Sequence, residues 1–432
     1  MKEKKEKLFT KNFSLLILGQ VSSLFGNYIL RLALSMYVLE VTGSAAVFAG
    51  ILSMAVIPTI LLFPFGGILA DRANRRNIMV ALDELTGISV LWAAVFLRED
   101  NALGVISVLL VILSVLGAFE TPTVQACIPQ MLKGDNMIKG NAVVNQTASI
   151  SYLITPMAGG VLYGVIGPKP VMYTSVVCFF ITALFECFIK LGPVGEPQEM
   201  GQKQGNILSV IKYDFCASIR FMARERTDIM KMLLLTAMSR FFVMGVTVVG
   251  LPFLVRTVLG LEAAYYGGAE SALAVATILG SIGAGLLTGK LQMGKLSHVL
   301  AAIGACIIPA GAVFLLEADT TVKYSVMVAA FGGMQAAISI FSIFAVSVIQ
   351  QCTPDHLIGK IMAYTSAITM CTQPLGQMVY GVLFDRFRDA VYVVLIPTGV
   401  IVWMAGVLSA GFFRRLGGTS HEGSKETGIG EV

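Results

Sequence analysis

Charged side chains inside long apolar stretches are the first residues of this chain that could do chemistry. Arg31, Asp83, Glu84, Glu120, Glu186 and Arg240 all fall in such stretches. A charge held in hydrocarbon costs on the order of 2.5–3.5 kcal/mol on insertion scales, so each is a functional candidate by default. A carboxyl in a partly dry cavity keeps its proton more firmly than in water, and a nearby cation loosens it again. Acids and bases so placed suit proton or ion binding.

A second constellation is Gly67-x-x-x-Asp71-Arg72-x-x-Arg75-Arg76, between two apolar runs. Gly67 lets a neighbouring helix come close, and Asp71 with the arginines can make charge-assisted bonds at a helix end. Such bonds can latch one conformation and break in another. Asp83, near the start of the next run, is a further latch partner, with Glu84 beside it. The plainer alternative is that the three arginines only fix topology. A third constellation is Thr155-Pro156-Met157-Ala158-Gly159-Gly160, repeated in shorter form as Pro374-Leu375-Gly376. Proline removes a backbone donor and glycine permits tight packing, so both helices can bend against a neighbour.

Other chemistry is excluded. His298, His356 and His421 have no ligand spacing, and the seven cysteines are scattered singly, so no metal site is expected. No phosphate-binding glycine loop and no Ser/His/Asp set suggests an enzyme, and no cofactor is implied. The net charge of +5 lies in short segments between apolar runs, a topology signal rather than a nucleic-acid one.

The elements that must position these residues follow from composition. Apolar residues make up 56% and charged residues 13% of 432 positions, more apolar surface than a soluble fold can hide. Runs long enough to cross hydrocarbon fall at about 13–38, 45–69, 77–97, 102–126, 140–165 and 170–190, then at 232–255, 266–288, 296–316, 323–349, 359–383 and 390–413. The sequence therefore predicts an all-α membrane protein of 12 transmembrane helices in two pseudo-symmetric six-helix bundles. Its divisions are 1–190, a linker over 191–231, a second bundle over 232–413 and a disordered tail over 414–432. Within the linker, 206–226 has an amphipathic pattern that suits the membrane surface. With the N-terminus inside, 23 of the 31 lysines and arginines lie on the cytoplasmic side and six on the other, so both termini are expected to be cytoplasmic.

The two halves also match each other. Phe25 pairs with Phe242, Gly43 with Gly260, Gly50 with Gly267 and Gly164 with Gly381 at an offset of 217 residues, and Gly67 with Gly285 and Pro156 with Pro374 at 218. Tandem repeats of this size fit a transporter with a site near the bilayer midplane.

The arginine loop resembles the signature loop of the major facilitator superfamily, with Asn74 where glycine is usual. The proline-glycine element resembles one found in the superfamily's antiporters, with Thr155 replacing its first glycine. Thr42-Gly43-Ser44, Ala81-Leu82-Asp83 and the stretch from Gln350 to Gly359 look closest to the macrolide-efflux and enterobactin-exporter branch. The resemblance implies that the first, fourth, seventh and tenth helices line the cavity, which promotes Arg31, Glu120 and Arg240, with Gln20, Asn27 and Gln335 as polar liners. Tyr28, Phe119, Phe241, Phe242, Phe341 and Phe344 lie on or near those helices and suit amphipathic or cationic compounds. Glu120-Thr121-Pro122 stands where many drug antiporters carry an arginine, and Glu120 is expected to bind and release the coupling proton. Glu186, on a peripheral helix, is expected to be structural.

The function expected is a proton-coupled exporter of drugs or other amphipathic small molecules. It would be a multi-pass, monomeric protein of the plasma (inner) membrane whose partners are substrate, protons and lipid bilayer, with no nucleic acid. An uptake permease or lysophospholipid flippase on the same fold is the alternative, and a non-transporting receptor is an alternative of another class.

Overall fold

The computed structural model describes residues 8–72, 74–133, 135–191, 226–287, 293–354 and 357–416, together with Arg220 and Arg224. Among these residues every regular element is helical. The first six are α1 (Lys11–Thr42), α2 (Ala45–Arg72), α3 (Arg75–Phe96), α4 (Ala102–Met131), α5 (Asp135–Ile166) and α6 (Pro168–Cys187). The next is α7, which begins at Thr227–Met244 and continues through π-helical stretches at Gly245–Gly250 and Leu254–Val258 on either side of Leu251–Phe253. Then come α8 (Ala263–Leu287), α9 (Leu296–Ala312), α10 (Thr320–Cys352), α11 (Ile358–Arg386) and α12 (Tyr392–Leu408). Most of the expected surface helix over 206–226, and the tail beyond 416, lie outside the described residues.

Eleven of these helices are long and apolar enough to cross a membrane. The exception is α11, whose 29 residues include Thr365, Ser366, Thr369, Thr372, Gln373 and Gln377. Its polar side chains lower its hydropathy without shortening it. Large apolar side chains face outward, as with Leu61 at 65% and Leu286 at 73% exposure, which only hydrocarbon would cover at low cost.

The helix ends follow local chemistry. Thr10 caps α1 by accepting the Phe13 N–H at 3.3 Å. Asn74, the departure from the usual signature glycine, caps α3 by accepting the Arg76 N–H at 3.1 Å. Gly43 ends α1 at φ 60° and Gly260 follows α7 at φ 65°, both in the left-handed region that favours glycine. These two positions are a matched pair of the sequence repeat, so the repeat carries a shared backbone turn.

The chain divides into two compact units, residues 1–202 with 252–271 and residues 203–251 with 272–432. The C-terminal end of α7 and the N-terminal start of α8 thus belong with the first unit, and the division crosses α7 beside Pro252, whose missing N–H suits a widened, π-helical ladder there. In the first unit α1 packs on α5 and α6, α3 on α4 and α6, and α2 on α4. In the second, α7 packs on α10 and α11, and α9 on α10 and α12. Several pairings recur at corresponding positions, as duplication requires.

Candidate functional site

Two acids of the first unit converge on one buried hydroxyl. Ser23, on α1, is 2% exposed, and its Oγ lies 3.2 Å from Asp83 Oδ1 on α3 and 3.3 Å from Glu120 Oε1 on α4. Glu186, on α6, stands beside Asp83. Asp83 and Glu186 are buried, and Glu186 Oε2 has no hydrogen-bond partner. α6 lies against α1 here, with Glu186 Cγ at ordinary contact distance, 3.7 Å, from where a Gly19 Cβ would stand, and Thr182 fastens the two helices by donating to the Gly19 carbonyl at 3.2 Å.

Arg31 lies two turns above Ser23 on α1, donates to Asn27 Oδ1 at 3.1 Å and acts electrostatically on Glu120. Gln20 is buried on the same helix. Asp83 therefore stands with carboxyls and a serine, while Glu84 beside it is exposed.

The described arginines of the signature loop tie α3 to its neighbours. Arg75 donates to the Ala126 carbonyl of α4 at 2.9 Å, and Arg76 donates to the Cys187 carbonyl of α6. Gly67, Asp71 and Arg72 belong to the last turns of α2, but their surroundings and side chains lie outside the described residues.

The proline-glycine element of α5 meets the start of α8 within the first unit. A Cβ on Gly160 would stand 2.6 Å from the Ala263 carbonyl, and one on Gly267 would strike the Pro156 carbonyl. Gly159 faces Ile29 of α1 with 3.3 Å to its Cα, and Thr155 is buried in the same helix. Close by in sequence, Tyr163 donates to Glu40 Oε2 at 2.7 Å, and Arg256 pairs with the same oxygen at 3.5 Å.

In the second unit Arg240 and Gln335 do meet, in a pocket of about 240 Å³ lined also by Thr277, Ser281, Ser339 and Ser342. Gln335 Oε1 has no partner there. On α11, Pro374 is followed by Gly376, where a Cβ would strike the Phe241 carbonyl of α7. Several of the expected cavity aromatics pack on other rings: Tyr28 on Tyr152 at 5.6 Å between centroids, and Phe241 and Phe242 on Tyr380 at 6.3 and 6.4 Å. Phe341 is wholly buried.

This helical architecture, with paired six-helix sequence halves, finds its counterpart in a family model described as Major Facilitator Superfamily, which matches residues 16–376. The chain belongs to the major facilitator superfamily. As a member, it is a multi-pass membrane transporter of small molecules and not an enzyme. Among curated relatives, macrolide efflux protein A of Streptococcus pyogenes is 21% identical over 377 residues, covering 85% of this chain and 88% of that protein. The multidrug efflux pump Tap of Mycolicibacterium fortuitum is 22% identical over 381 residues, covering 86% and 88%. Solved structures agree on the fold. The POT family transporter PepTSo superposes with a TM-score of 0.70 at 12% identity, covering 95% of this chain and 99% of that one. A bacterial homologue of the iron transporter ferroportin superposes with 0.69 at 15%, covering 94% and 98%.

Sequence reasoning did not find Ser23, because an isolated serine in an apolar helix carries no distinguishing signal. It also passed over Glu40, Tyr163, Arg256 and Glu270. Glu270 lies inside the α8 span and accepts the Tyr266 hydroxyl at 2.6 Å, so the same count of charges within spans that found Glu120 could have found it.

Proposed function

We propose that this superfamily member is a proton-coupled antiporter that exports drugs, macrolide-like compounds among them, or other amphipathic small molecules by alternating access. The observation that carries the proposal is Glu120, an acid in the middle of a membrane helix, bonded to Ser23 and within the field of Arg31. Protonation of Glu120 removes its charge and releases Arg31 from it. Deprotonation restores the attraction, so proton binding and helix position are linked. Similarity to a macrolide efflux protein and a multidrug efflux pump over most of the chain supports export of such compounds.

The pocket at Arg240 fits a substrate contact. Its volume of about 240 Å³ is below the roughly 300 Å³ at which sites for whole drug-sized ligands begin. It is therefore a subsite, in which Arg240, the serines and Gln335 hold one polar group of a larger molecule.

In this reading the protein is a monomer in the plasma membrane with both termini cytoplasmic. The signature loop of Gly67, Asp71, Arg72, Arg75 and Arg76 latches one conformation. The test is reconstitution into liposomes with ethidium, an amphipathic cationic dye, under an imposed pH gradient. Proton-coupled export requires dye movement against the proton flow that collapses when an ionophore dissipates the gradient. Movement indifferent to the gradient, or none, overturns the proposal.

A further inference from the structure

The three carboxyls around Ser23 impose a proton count. Ser23 has one hydroxyl hydrogen but contacts two carboxyl oxygens, at 3.2 Å on Asp83 and 3.3 Å on Glu120. It can donate to one of them, and the other contact is a hydrogen bond only if that carboxyl supplies its own proton. Glu186 is the third carboxyl, beside Asp83, and a hydrogen bond between those two likewise needs a proton. Three hydrogen bonds thus need three hydrogens, one from Ser23 and two from the carboxyls. Glu186 Oε2 is buried without a partner, as suits the terminus of a chain with one site still open.

Among the described residues no cation forms an ion pair with Asp83, Glu120 or Glu186. The groups that face it are Arg31 and Tyr28 from α1, which act on Glu120 or on each other; Arg75 and Arg76 from the start of α3; Cys127 from α4; Cys187 from α6; and Tyr152 of α5 against Tyr28. Arg75 and Arg76 spend hydrogen bonds on the Ala126 and Cys187 carbonyls. Among the described residues no group of histidine, cysteine, aspartate or glutamate is arranged to hold a metal ion.

We propose that Glu120, Ser23, Asp83 and Glu186 form a proton chain that holds two protons and moves one proton's worth of charge between Glu120 and Glu186. This deepens, and rests on, the reading of the protein as proton-coupled. In one state Glu120 donates to Ser23, Ser23 to Asp83 and Asp83 to Glu186, which is the carboxylate. In the other each proton has shifted along its bond: Ser23 takes the Glu120 proton as it passes its own to Asp83, and Asp83 passes its proton to Glu186. Every hydrogen bond survives with its direction reversed, and the negative charge has moved from Glu186 to Glu120. Closer approach of Arg31 to Glu120 favours the second state. Glu186 is then the exchange point, next to Cys187, whose carbonyl holds the signature-loop Arg76.

The test is infrared spectroscopy of the purified full-length protein in lipid at neutral pH, with Glu120→Gln, Asp83→Asn, Glu186→Gln and Ser23→Ala alongside wild type. Wild type should carry protonated-carboxyl stretching bands. Each carboxyl substitution should remove part of that absorption and shift what remains, since the bonds share atoms. Ser23→Ala removes no carboxyl and little volume, so it keeps the fold, and it should shift the bands of both Asp83 and Glu120. Absence of protonated-carboxyl absorption, bands that change one by one without affecting each other, or their loss on adding sodium ions at constant pH would overturn the chain. Ethidium transport by the same samples separates the two readings: if wild type moves no dye, proton-coupled export fails while the spectra still decide the proton chain. If wild type does move dye, Glu186→Gln should lose the response to an imposed pH gradient, and a full response in that variant overturns the chain.

Discussion

Glu120 is the residue on which coupling rests in the proposed mechanism, because its charge can be switched off without changing its shape. Glu120→Gln should abolish ethidium efflux driven by a pH gradient while leaving substrate binding or exchange partly intact, as measured in proteoliposomes and by dye fluorescence. Unchanged gradient-driven efflux would remove Glu120 from the mechanism. Arg240 makes a separate prediction. A hydrogen bond to a charged group is worth about 1.5–3 kcal/mol. Arg240→Ala should therefore weaken binding of substrates that carry an acceptor group by about tenfold or more, and leave those lacking one nearly unaffected. Equal losses for both kinds of ligand, in a binding titration, would make Arg240 a packing residue only.

At the scale of helices, glycines set how closely neighbours approach. Gly376 lies against the Phe241 carbonyl, and Gly267 against that of Pro156, so added side-chain carbon must push a backbone away rather than a flexible tip. Gly376→Val and Gly267→Val should each destabilise the protein by about 1–3 kcal/mol, the range for overpacking. Thermal unfolding in detergent checks this, and Gly164→Val, where nothing stands within 4 Å of the added Cβ, is the control. The arginines at the start of α3 bond the carbonyls of α4 and α6, which suits a latch in which helix ends hold one another. Asp71→Asn should shift the balance between inward-open and outward-open forms, read by cysteine labelling from each side. No shift would leave the loop a topology marker.

For the whole molecule the expectation is a membrane protein with both chain ends on the cytoplasmic side. Labelling of cysteines placed at each end should occur only after the membrane is permeabilised, in intact cells. Reaction of either end with an impermeant reagent added outside would refute the topology. The C-terminal end of α7, grouped with the first unit, brings Arg256 to Glu40 and Tyr163. Arg256 is one of the six basic residues that the charge distribution of the sequence puts on the non-cytoplasmic side, so this cluster is expected there too.

The sequence by itself determined the class, the helix runs and the repeat, because a membrane span advertises itself by local length and apolarity. Gly43 and Gly260 illustrate how far local information reaches, since one matched pair of residues set two left-handed helix ends. It also singled out Glu120 and the arginines, since charge in an apolar run is conspicuous wherever it points. What each charge touches was decided only by tertiary structure. Asp83 suited an arginine latch by its place in the chain, yet it stands beside Ser23 and Glu186, and Glu186 suited a structural role, yet it closes a carboxyl cluster. Helical periodicity tells which face a side chain lies on, but not which helix will cover that face. Helices far apart in sequence had to pack before one serine hydroxyl could meet two acids, with a third beside them.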